Sequence, residues 1–397
     1  MFVSRFILSM KQQLQQYMLM IFTMLILQQP SFAQKSTLPK NPVDPSRLQI
    51  IWDSASLNKI GVGGYARMIE LKNGKLVAVY AASNGNTEVV RSEDGGRHWS
   101  TPIVVAAKAT DIRMDAPDII LLRDKTVLVC YNPRPSKRIP DTTTRLAIRV
   151  ARSYDEGLTW KDDQLLYEAG SLFRDGCWEP AALQLPSGEI QIFFANEGVY
   201  TNSDEQNISR LRSFDNGKTW TTTPEIVSFR SGSRDGMPTP VYLPKTKEIA
   251  ISIEDNGFIN FKPYVIHLPL KGKRIETVSG NSKRRKYALQ DSLPGKVYAG
   301  APYLRRLTNG NTILSYQSTQ FKEGKHDVNN AEMVVVIGDA LAGNFTNPTI
   351  PFKIPGNKRA LWNSITVLKD GTVIALTSTD AYTNRSEVWM IKGRVSH

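Results

Sequence analysis

A segment of about 14 residues recurs six times along the 397-residue chain, and this repeat constrains the fold more than any other feature of the sequence. Each copy contains an apolar stretch, a turn with Gly or polar residues, and a strand with alternating β-branched residues. The copies are RMIELKNGKLVAVY (67–80), DIILLRDKTVLVCY (118–131), AALQLPSGEIQIFF (181–194), TPVYLPKTKEIAIS (239–252), YLRRLTNGNTILSY (303–316) and SITVLKDGTVIALT (364–377). Units of this size, each completed by a further hairpin, predict an all-β fold: a six-bladed β-propeller with four antiparallel strands per blade.

Three octets with the pattern S-x-D-x-G-x-x-W mark a turn in the hairpin outside the repeated segment. They begin at Ser92, Ser153 and Ser213, which are 61 and 60 residues apart, and they resemble Asp-boxes. In such a turn the Asp accepts backbone N–H bonds, the Gly takes a positive φ, and the Trp packs the turn onto the sheet. A calcium site would need more oxygen ligands than one Asp per loop, so we expect no metal. No cofactor motif is visible, so we expect no cofactor.

The start of the chain has the pattern of a secretion signal. Arg5 and Lys11 precede an apolar run, Tyr17 to Leu27, and a small-residue cleavage site ends at Ala33. Eleven apolar residues are too few to cross a hydrocarbon core of about 30 Å as a helix, so we expect no stable membrane anchor. The sequence therefore predicts a signal peptide over residues 1–33, cleaved near Ala33, and a periplasmic or extracellular protein.

The remainder of the chain predicts one domain. Residues 34–46 contain three prolines and indicate a flexible lead-in, and residues 47–397 form the propeller. The strand Glu387 to Ile391 needs an outer neighbour, which Leu48 to Trp52 would supply, and this pairing would close the ring.

Composition limits the partners. The formal charge is +13, but part of the excess lies in one tract, Lys271 to Lys286, which indicates a solvated loop. We therefore expect no binding to nucleic acid. We also expect a monomer. The two cysteines, Cys130 and Cys177, are too few for a disulfide scaffold, and we expect free thiols.

The alignment of the copies places two carboxylates at one end of the central channel. In each blade, residues just before the first strand and just after the second strand share a face. The first group is Tyr65, Ala116, Glu179, Met237, Ala301 and Trp362, and the second is Ala81, Asn132, Ala195, Glu254, Gln317 and Ser378. Each group contains one carboxylate, so Glu179 and Glu254 should meet on neighbouring blades, with the Asp-boxes at the opposite end.

Two carboxylates facing one cavity are what glycoside cleavage requires, because one protonates the leaving oxygen while the other attacks the anomeric carbon or activates water. The alternative is that both are solvent-exposed loop acids, as most Glu residues are. Candidates for stacking on sugar faces are Trp178, Tyr298, Tyr303 and Trp362. Candidates for hydrogen bonds to hydroxyls are Arg67, Asp115, Asp118, Arg174, Asp175, Asn196, Arg234, Asp235, Gln317 and Asn363.

Six stretches resemble one known family. They are RDGCWEPAALQLPSGEIQIFFANE (174–197), RSGSRDGMPTPVYL (230–243), ISIEDN (251–256), YAGAPYLRRL (298–307), ILSYQS (313–318) and LWNS (361–364). The stretches are similar to the exo-1,5-α-L-arabinanases of glycoside hydrolase family 93, six-bladed propellers related in fold to sialidases. The resemblance implies release of arabinobiose from the non-reducing end of α-1,5-arabinan, with retention of configuration, by two glutamates. Those correspond to Glu179 and Glu254, with Glu179 as nucleophile and Glu254 as acid/base; the sequence leaves that order open.

Two other functions remain open at this stage. A sialidase shares the propeller and the Asp-boxes but needs three arginines, for which Arg67, Arg234 and one of Arg305 and Arg306 are available, and a Tyr nucleophile. The other alternative is a non-catalytic glycan-binding propeller, which would keep the aromatic residues but would tolerate loss of either glutamate.

Overall fold

The computed structural model describes residues 39–136, 145–170, 172–270 and 276–396. The expected signal peptide and its cleavage site lie outside these ranges, so both stay predictions. The described helices are three short 3-10 turns, Pro45–Arg47, Phe173–Asp175 and Val328–Asn330. Within the described ranges no helix is long and apolar enough to cross a membrane.

The described ranges contain 23 strands. In chain order they are β1 Gln49–Glu70, β2 Leu76–Ala82, β3 Thr87–Ser92, β4 Ile103–Ala106, β5 Ile112–Leu121, β6 Val127–Pro135, β7 Ala147–Ser153, β8 Lys161–Glu168, β9 Cys177–Gln184, β10 Ile190–Asn196, β11 Asn207–Ser213, β12 Glu225–Ser228, β13 Asp235–Leu243, β14 Glu248–Asp255, β15 Lys262–Pro269, β16 Arg285–Tyr287, β17 Ala299–Arg306, β18 Thr312–Ser318, β19 Glu332–Gly338, β20 Thr346–Thr349, β21 Ala360–Val367, β22 Val373–Thr379 and β23 Glu387–Ser396. All pairings between these strands are antiparallel, which confirms the predicted all-β class.

The strands form four sheets of four strands and one sheet of seven. The four-stranded sheets are β5 to β8, β9 to β12, β13 to β16 and β17 to β20, each in chain order from one edge to the other. The seven-stranded sheet has the order β21-β22-β23-β1-β2-β3-β4. The first strands β1, β5, β9, β13, β17 and β21 contact one another in a closed circuit.

Strand β1 joins the two ends of the chain. Its first part pairs with β23 and its last part pairs with β2. The expected pairing of the chain ends is confirmed, but its register differs from the prediction: Trp52 lies opposite Gly393, and Glu387 lies opposite Val62. Residues 387–390 pair instead with residues 58–62 of the same strand, because β1 is much longer than the predicted segment.

The expected lead-in is described from residue 39 onward. The backbone of Val43 is held at both ends by Asn311, whose side chain accepts from the Val43 N–H at 3.0 Å and donates to the Val43 carbonyl at 2.9 Å. Pro45 is buried. These contacts attach residues 43–45 to the hairpin between β17 and β18.

Apolar side chains from successive sheets pack face to face and form the core. In the largest cluster, Leu128 and Ile148 of the β5 to β8 sheet pack with Phe193 and Ile208 of the next sheet. All four are fully buried. Because each sheet is apolar on both faces, the side chains of a strand are buried whichever face they point to. In β10, for example, every residue is buried.

The three octets adopt the predicted turn. In the second, the Asp155 carboxylate accepts the N–H groups of Leu158 at 3.1 Å and Thr159 at 2.8 Å, and Gly157 has φ +88°. Trp160 packs against the neighbouring sheet. Ser92, which opens the first octet, pairs with Leu76 at the end of β2 remote from Ala81, so the octets lie at the predicted end of the strands.

Two expectations about single residues have different outcomes. Cys130 and Cys177 are buried and free, as predicted. The basic tract is not simply a solvated loop: residues 271–275 lie outside the described ranges, but Arg285 of β16 is only 7% exposed. It is buried because it pairs with two buried aspartates, described below.

Candidate active site

A backbone irregularity recurs at one position in all six first strands. In each, the pairing with the second strand shifts register, and one residue takes a left-handed conformation with φ between 46° and 58°. These residues are Tyr65, Ala116, Glu179, Met237, Ala301 and Trp362, here called the ring residues. Non-glycine residues rarely adopt this conformation, and a bulge re-aims the side chain it carries. The ring residues are the six that the sequence alignment grouped together.

The ring residues lie around one point. Tyr65, Ala116, Met237 and Ala301 pack in one buried cluster, and the rings of Tyr65 and Trp362 lie 6.2 Å apart. Glu179 is the charged member of the set. An otherwise apolar ring therefore surrounds one carboxylate.

A cavity of about 440 Å³ opens beside this ring. Its lining includes Glu179, Trp362, Asp115, Arg113 and Arg134. Asp115 lies between the two arginines, with N–O distances of 3.0 Å to Arg113 and 3.7 Å to Arg134. Trp362 is 36% exposed, so part of its indole is available to a ligand.

Burial and charge act in opposite directions on Glu179. Burial raises the pKa of its carboxyl, and the negative charge of Asp115 adds to this, while the positive charges of Arg134, Arg234 and Arg67 lower it. Arg134 is the strongest of the three arginines. Burial is the largest of these effects, so the pKa of Glu179 stays above its usual value, and the three arginines make the rise smaller than burial alone would cause.

Glu254 lies against the same ring from the neighbouring sheet. It pairs with Gly236 in the β13–β14 ladder, and its carboxylate accepts the N–H of Ala301 at 2.7 Å. Burial raises the pKa of Glu254 to about 7, with a further contribution from the charge of Glu179. A carboxyl with this pKa holds a proton near neutral pH.

Two glycines leave the space that the Glu254 carboxylate occupies. A Cβ on Gly300 would lie 2.8 Å from Oε2, and a Cβ on Gly236 would lie 3.0 Å from Oε1. The cavity lining includes Glu179 but not Glu254, which sits between these glycines.

The sequence analysis missed the cavity residues Arg113, Arg134 and Arg385, and it missed Glu197. Glu197 is 1% exposed, burial raises its pKa to about 7, and Arg234 forms an ion pair with it. Arg134 and Glu197 each lie two residues after the member of the second group on the same sheet, Asn132 and Ala195 respectively. Because side chains two residues apart in an extended chain lie on one face, extending that group by two would have found both.

Three predicted sugar contacts lie deeper in the channel, two residues beyond the ring. The residues at this position are Arg67, Asp118, Ala181, Thr239, Tyr303 and Ser364, here called the plug. The Arg67 guanidinium lies 4.6 Å from the centre of the Tyr303 ring and donates to the Trp362 carbonyl at 3.0 Å. Asp118 accepts the N–H of Ala182 at 2.9 Å. Arg67, Asp118 and Tyr303 are at most 3% exposed, so the plug fills the channel below the ring.

Tyr298 and Gln317 support Trp362. Gln317 donates to the Tyr298 hydroxyl at 2.7 Å and accepts the backbone N–H of Trp362 at 2.9 Å. The structure thus brings these three predicted residues together beside Glu254, because the Tyr298 hydroxyl also lies 2.6 Å from the position of a Cβ on Gly300.

The remaining predicted contacts are held by the protein itself. Asp235 is fully buried against Arg285, and Asn196 donates to Ser209 and accepts from Tyr167. Asn363 is 1% exposed and donates to the Ala360 carbonyl. Arg174 is exposed and lies 3.6 Å from Asp175, which is buried. Trp178 is also buried and packs on Phe173 and Arg134.

Among the described residues, no group of three or more His, Cys, Asp or Glu side chains is arranged to hold a metal ion.

No protein-family model matches the chain, and no curated protein matches it in sequence. Among solved structures, it is similar to the GH93 α-L-arabinofuranosidase of Fusarium graminearum with arabinobiose, with a TM-score of 0.60 and 18% identity over 91% of this chain and 97% of that one. It is also similar to Penicillium chrysogenum α-L-arabinanase complexed with arabinobiose, with a TM-score of 0.58 and 16% identity over 86% and 94% of the two chains. The NanB sialidase from Streptococcus pneumoniae has a TM-score of 0.57 and 12% identity over 90% and 71%. At 12–18% identity, the likeness shows that the chain shares the fold of these structures.

Proposed function

We propose that the protein is a secreted, exo-acting glycoside hydrolase that cleaves α-1,5-linked L-arabinan from the non-reducing end, releasing arabinobiose with retention of configuration. The observation that carries this proposal is the pair Glu179 and Glu254. They lie on neighbouring sheets at one ring, and burial raises the pKa of both. Three arginines oppose the rise at Glu179, whereas the pKa of Glu254 rises to about 7. One carboxylate and one carboxylic acid are the pair that a retaining glycosidase uses.

The proposed chemistry has two steps. The Glu179 carboxylate attacks the anomeric carbon, the glycosidic C–O bond breaks, and Glu254 gives its proton to the departing oxygen. Glu254, now ionised, removes a proton from water, the water oxygen attacks the anomeric carbon, and the bond to Glu179 breaks. Both glutamates return to their starting protonation states.

Three observations support a neutral furanose polymer, bound by one of its ends, as the substrate. The plug fills the channel below the ring, which leaves no passage for a chain through it. The cavity arginines already face carboxylates, Arg113 and Arg134 at Asp115 and Arg385 at Glu387, 3.3 Å away. Two of the similar structures are described as complexes with arabinobiose.

The proposal also includes six blades, secretion and a monomeric state. We count the seven-stranded sheet as two blades that share β1, which gives six blades of four strands with the four separate sheets. Secretion to the periplasm or outside the cell, and a monomeric state, rest on the sequence.

One observation favours the sialidase alternative. A Cβ placed on Gly300 would lie within 2.8 Å of both the Tyr298 hydroxyl and a Glu254 oxygen. A tyrosine and a glutamate therefore lie close together at the ring. Against it, burial raises the pKa of Tyr298, and two of the four arginines available to it, Arg305 and Arg306, lie beyond the plug. The arginine cluster of a sialidase is therefore not assembled around this pair.

The test is hydrolysis of linear arabinan and of sialyl-lactose by the mature protein and by Glu179→Ala and Glu254→Ala, with Glu276→Ala as an exposed control. We expect arabinobiose from arabinan, a loss of several orders of magnitude in both variants, and an active control. With azide and an activated substrate, the nucleophile variant should yield a glycosyl azide of inverted configuration and the acid/base variant one of retained configuration. Release of sialic acid supports the alternative, and binding of arabinan without hydrolysis supports a glycan-binding propeller. Full activity in either glutamate variant contradicts the assignment.

A further inference from the structure

A second cavity, of about 560 Å³, lies at the other end of the channel. All six first strands contribute to it, at positions three to five residues beyond the ring. The plug occupies the position between the ring and this cavity on every strand. We call it the far cavity, and nothing in the proposed glycosidase mechanism uses it.

The charged residues of the far cavity are mostly cationic. Arg123, Arg305, Arg306 and Lys369 line it, with Glu70 as the one acid among the lining residues. Glu70 is already engaged by Lys369, accepting its backbone N–H at 2.8 Å with the ammonium 3.9 Å away. The remaining positive charge has no acid facing it within the described lining.

Two adjacent arginines carry that uncompensated charge. Within the described residues, the side chain of Arg305 donates to neutral groups alone, the Leu304 carbonyl at 2.8 Å and the Tyr303 hydroxyl. Arg306 is half-buried, and its side chain makes no hydrogen bond or ion pair with the described residues. Burial lowers its pKa, as it does for a cation without a partner. An anion in the cavity would remove this penalty, and a guanidinium can bind a carboxylate or phosphate through two parallel bonds.

The other lining residues limit the size and polarity of such an anion. One position before Arg306 and its equivalents, the strands present Ile69, Ile120, Leu183 and Val241. Tyr242 adds a hydroxyl beside them that has no side-chain partner among the described residues. A bare inorganic ion would leave this apolar surface and most of the volume unused.

We propose that the far cavity is a binding site for a small organic anion, whose carboxylate or phosphate group is held by Arg305 and Arg306 and whose uncharged body packs on the apolar residues. The site is separate from the candidate active site, and its existence does not depend on the proposed glycosidase activity.

The test uses three probes with one body: glucose, glucuronate and glucose 6-phosphate, titrated calorimetrically into the mature protein. We expect one saturable site for at least one anionic probe, no heat from glucose, and weaker binding at higher salt. The carboxylate and phosphate arms identify which group the site takes. Arg306→Ala should weaken binding at least tenfold and leave the melting temperature unchanged, because Arg306 makes no hydrogen bond that the substitution would break. Arg306→Gln, which keeps most of the side-chain stem, is the second variant.

The matched control is Arg47→Ala, which removes one positive charge at an exposed position outside the cavity. It should change the affinity less than twofold. Equal binding to wild type and to both Arg306 variants, equal loss in Arg47→Ala, binding of glucose as tight as that of the anions, or no binding of either anion would each overturn the proposal.

Discussion

The two candidate catalytic glutamates differ in what surrounds the carboxyl group. Burial raises the pKa of both carboxyls, and three arginines oppose this rise at Glu179. Glu254 accepts one backbone N–H, lies against glycine backbone and a tyrosine, and has Arg234 as the cation that opposes burial and the charge of Glu179. The pKa of Glu254 therefore rises from 4.5 to about 7. This difference is our reason for proposing the acid/base role for Glu254, and the raised pKa gives the folded state a pH dependence that can be measured without substrate.

The first prediction concerns that pH dependence. Between pH 4.5 and about 7 the folded protein holds a proton on Glu254 that the unfolded chain has lost, so this group makes stability fall as pH rises through that window. Glu254→Gln stays neutral at every pH. Its unfolding free energy should match wild type near pH 4 and exceed it at pH 8, by about 3 kcal/mol or less. Urea unfolding at both pH values measures this; Glu276→Gln, at an exposed position, should show no such trend. A difference that is the same at both pH values contradicts it.

The second prediction concerns Gly300. A Cβ there would meet the Tyr298 hydroxyl at 2.6 Å and Glu254 Oε2 at 2.8 Å, so Gly300→Ala must displace one of them. Under the proposed function, kcat/KM on arabino-oligosaccharides should fall by about a hundredfold, since a displacement near 1 Å has that effect. Gly356→Ala, whose Cβ meets nothing within 4 Å, is the control and should be fully active. Unchanged kinetics in Gly300→Ala would show that the position of Glu254 does not matter.

At the level of strands, a buried ion cluster fixes the β13–β14 pair beneath Glu254. Asp235 and Asp255 face each other in the ladder, immediately next to the Gly236–Glu254 pair. Arg285 of β16 bonds both carboxylates and the Ser228 hydroxyl, and it is only 1% exposed at its side chain. The register of the strands that position Glu254 is thus tied to the outer strand of the same sheet.

The third prediction follows from that cluster. Arg285→Met leaves the buried Asp235 without its cation and Asp255 with Arg230 alone, which should lower the free energy of unfolding by about 3–5 kcal/mol. Lys286→Met, at the adjacent exposed position, should cost much less. Chemical unfolding of the two variants measures the difference. Equal stability would mean that Asp235 and Asp255 find other partners or protons.

For the whole molecule, closure of the ring depends on β1. The first part of β1 pairs with β23, the last strand of the chain, and its last part pairs with β2. One strand therefore joins the strands from the two ends of the chain. Trp52 strengthens the closure: its indole N–H donates to Thr349 of β20 at 3.0 Å, and its ring packs where a Cβ on Gly393 would lie. The indole therefore joins β1, β20 and β23.

The fourth prediction tests this closure. Trp52→Ala removes the indole from the contact between β1, β20 and β23 and should destabilise the protein by about 3 kcal/mol. Ile51→Ala alters the adjacent residue on the other face of the same strand, which is 59% exposed, and should change stability by less than about 0.5 kcal/mol. Urea unfolding compares the two variants. Comparable losses would indicate that β1 contributes through its backbone pairing alone.

The sequence by itself determined the all-β class, the six copies and the grouping of Glu179 with the other ring residues. It could do so because copies of equal length, alternating with a period of two, fix which residues share an end of the strands. Only the tertiary structure decided which polar residues reach the cavity: Asp115 does, whereas Asp235 is taken by Arg285. Such partners come from different strands, as Arg67 and Tyr303 do across the channel, and no local pattern encodes a contact between residues so far apart in the chain. The pKa of Glu254 follows from the same cause, because burial is set by everything packed around a side chain.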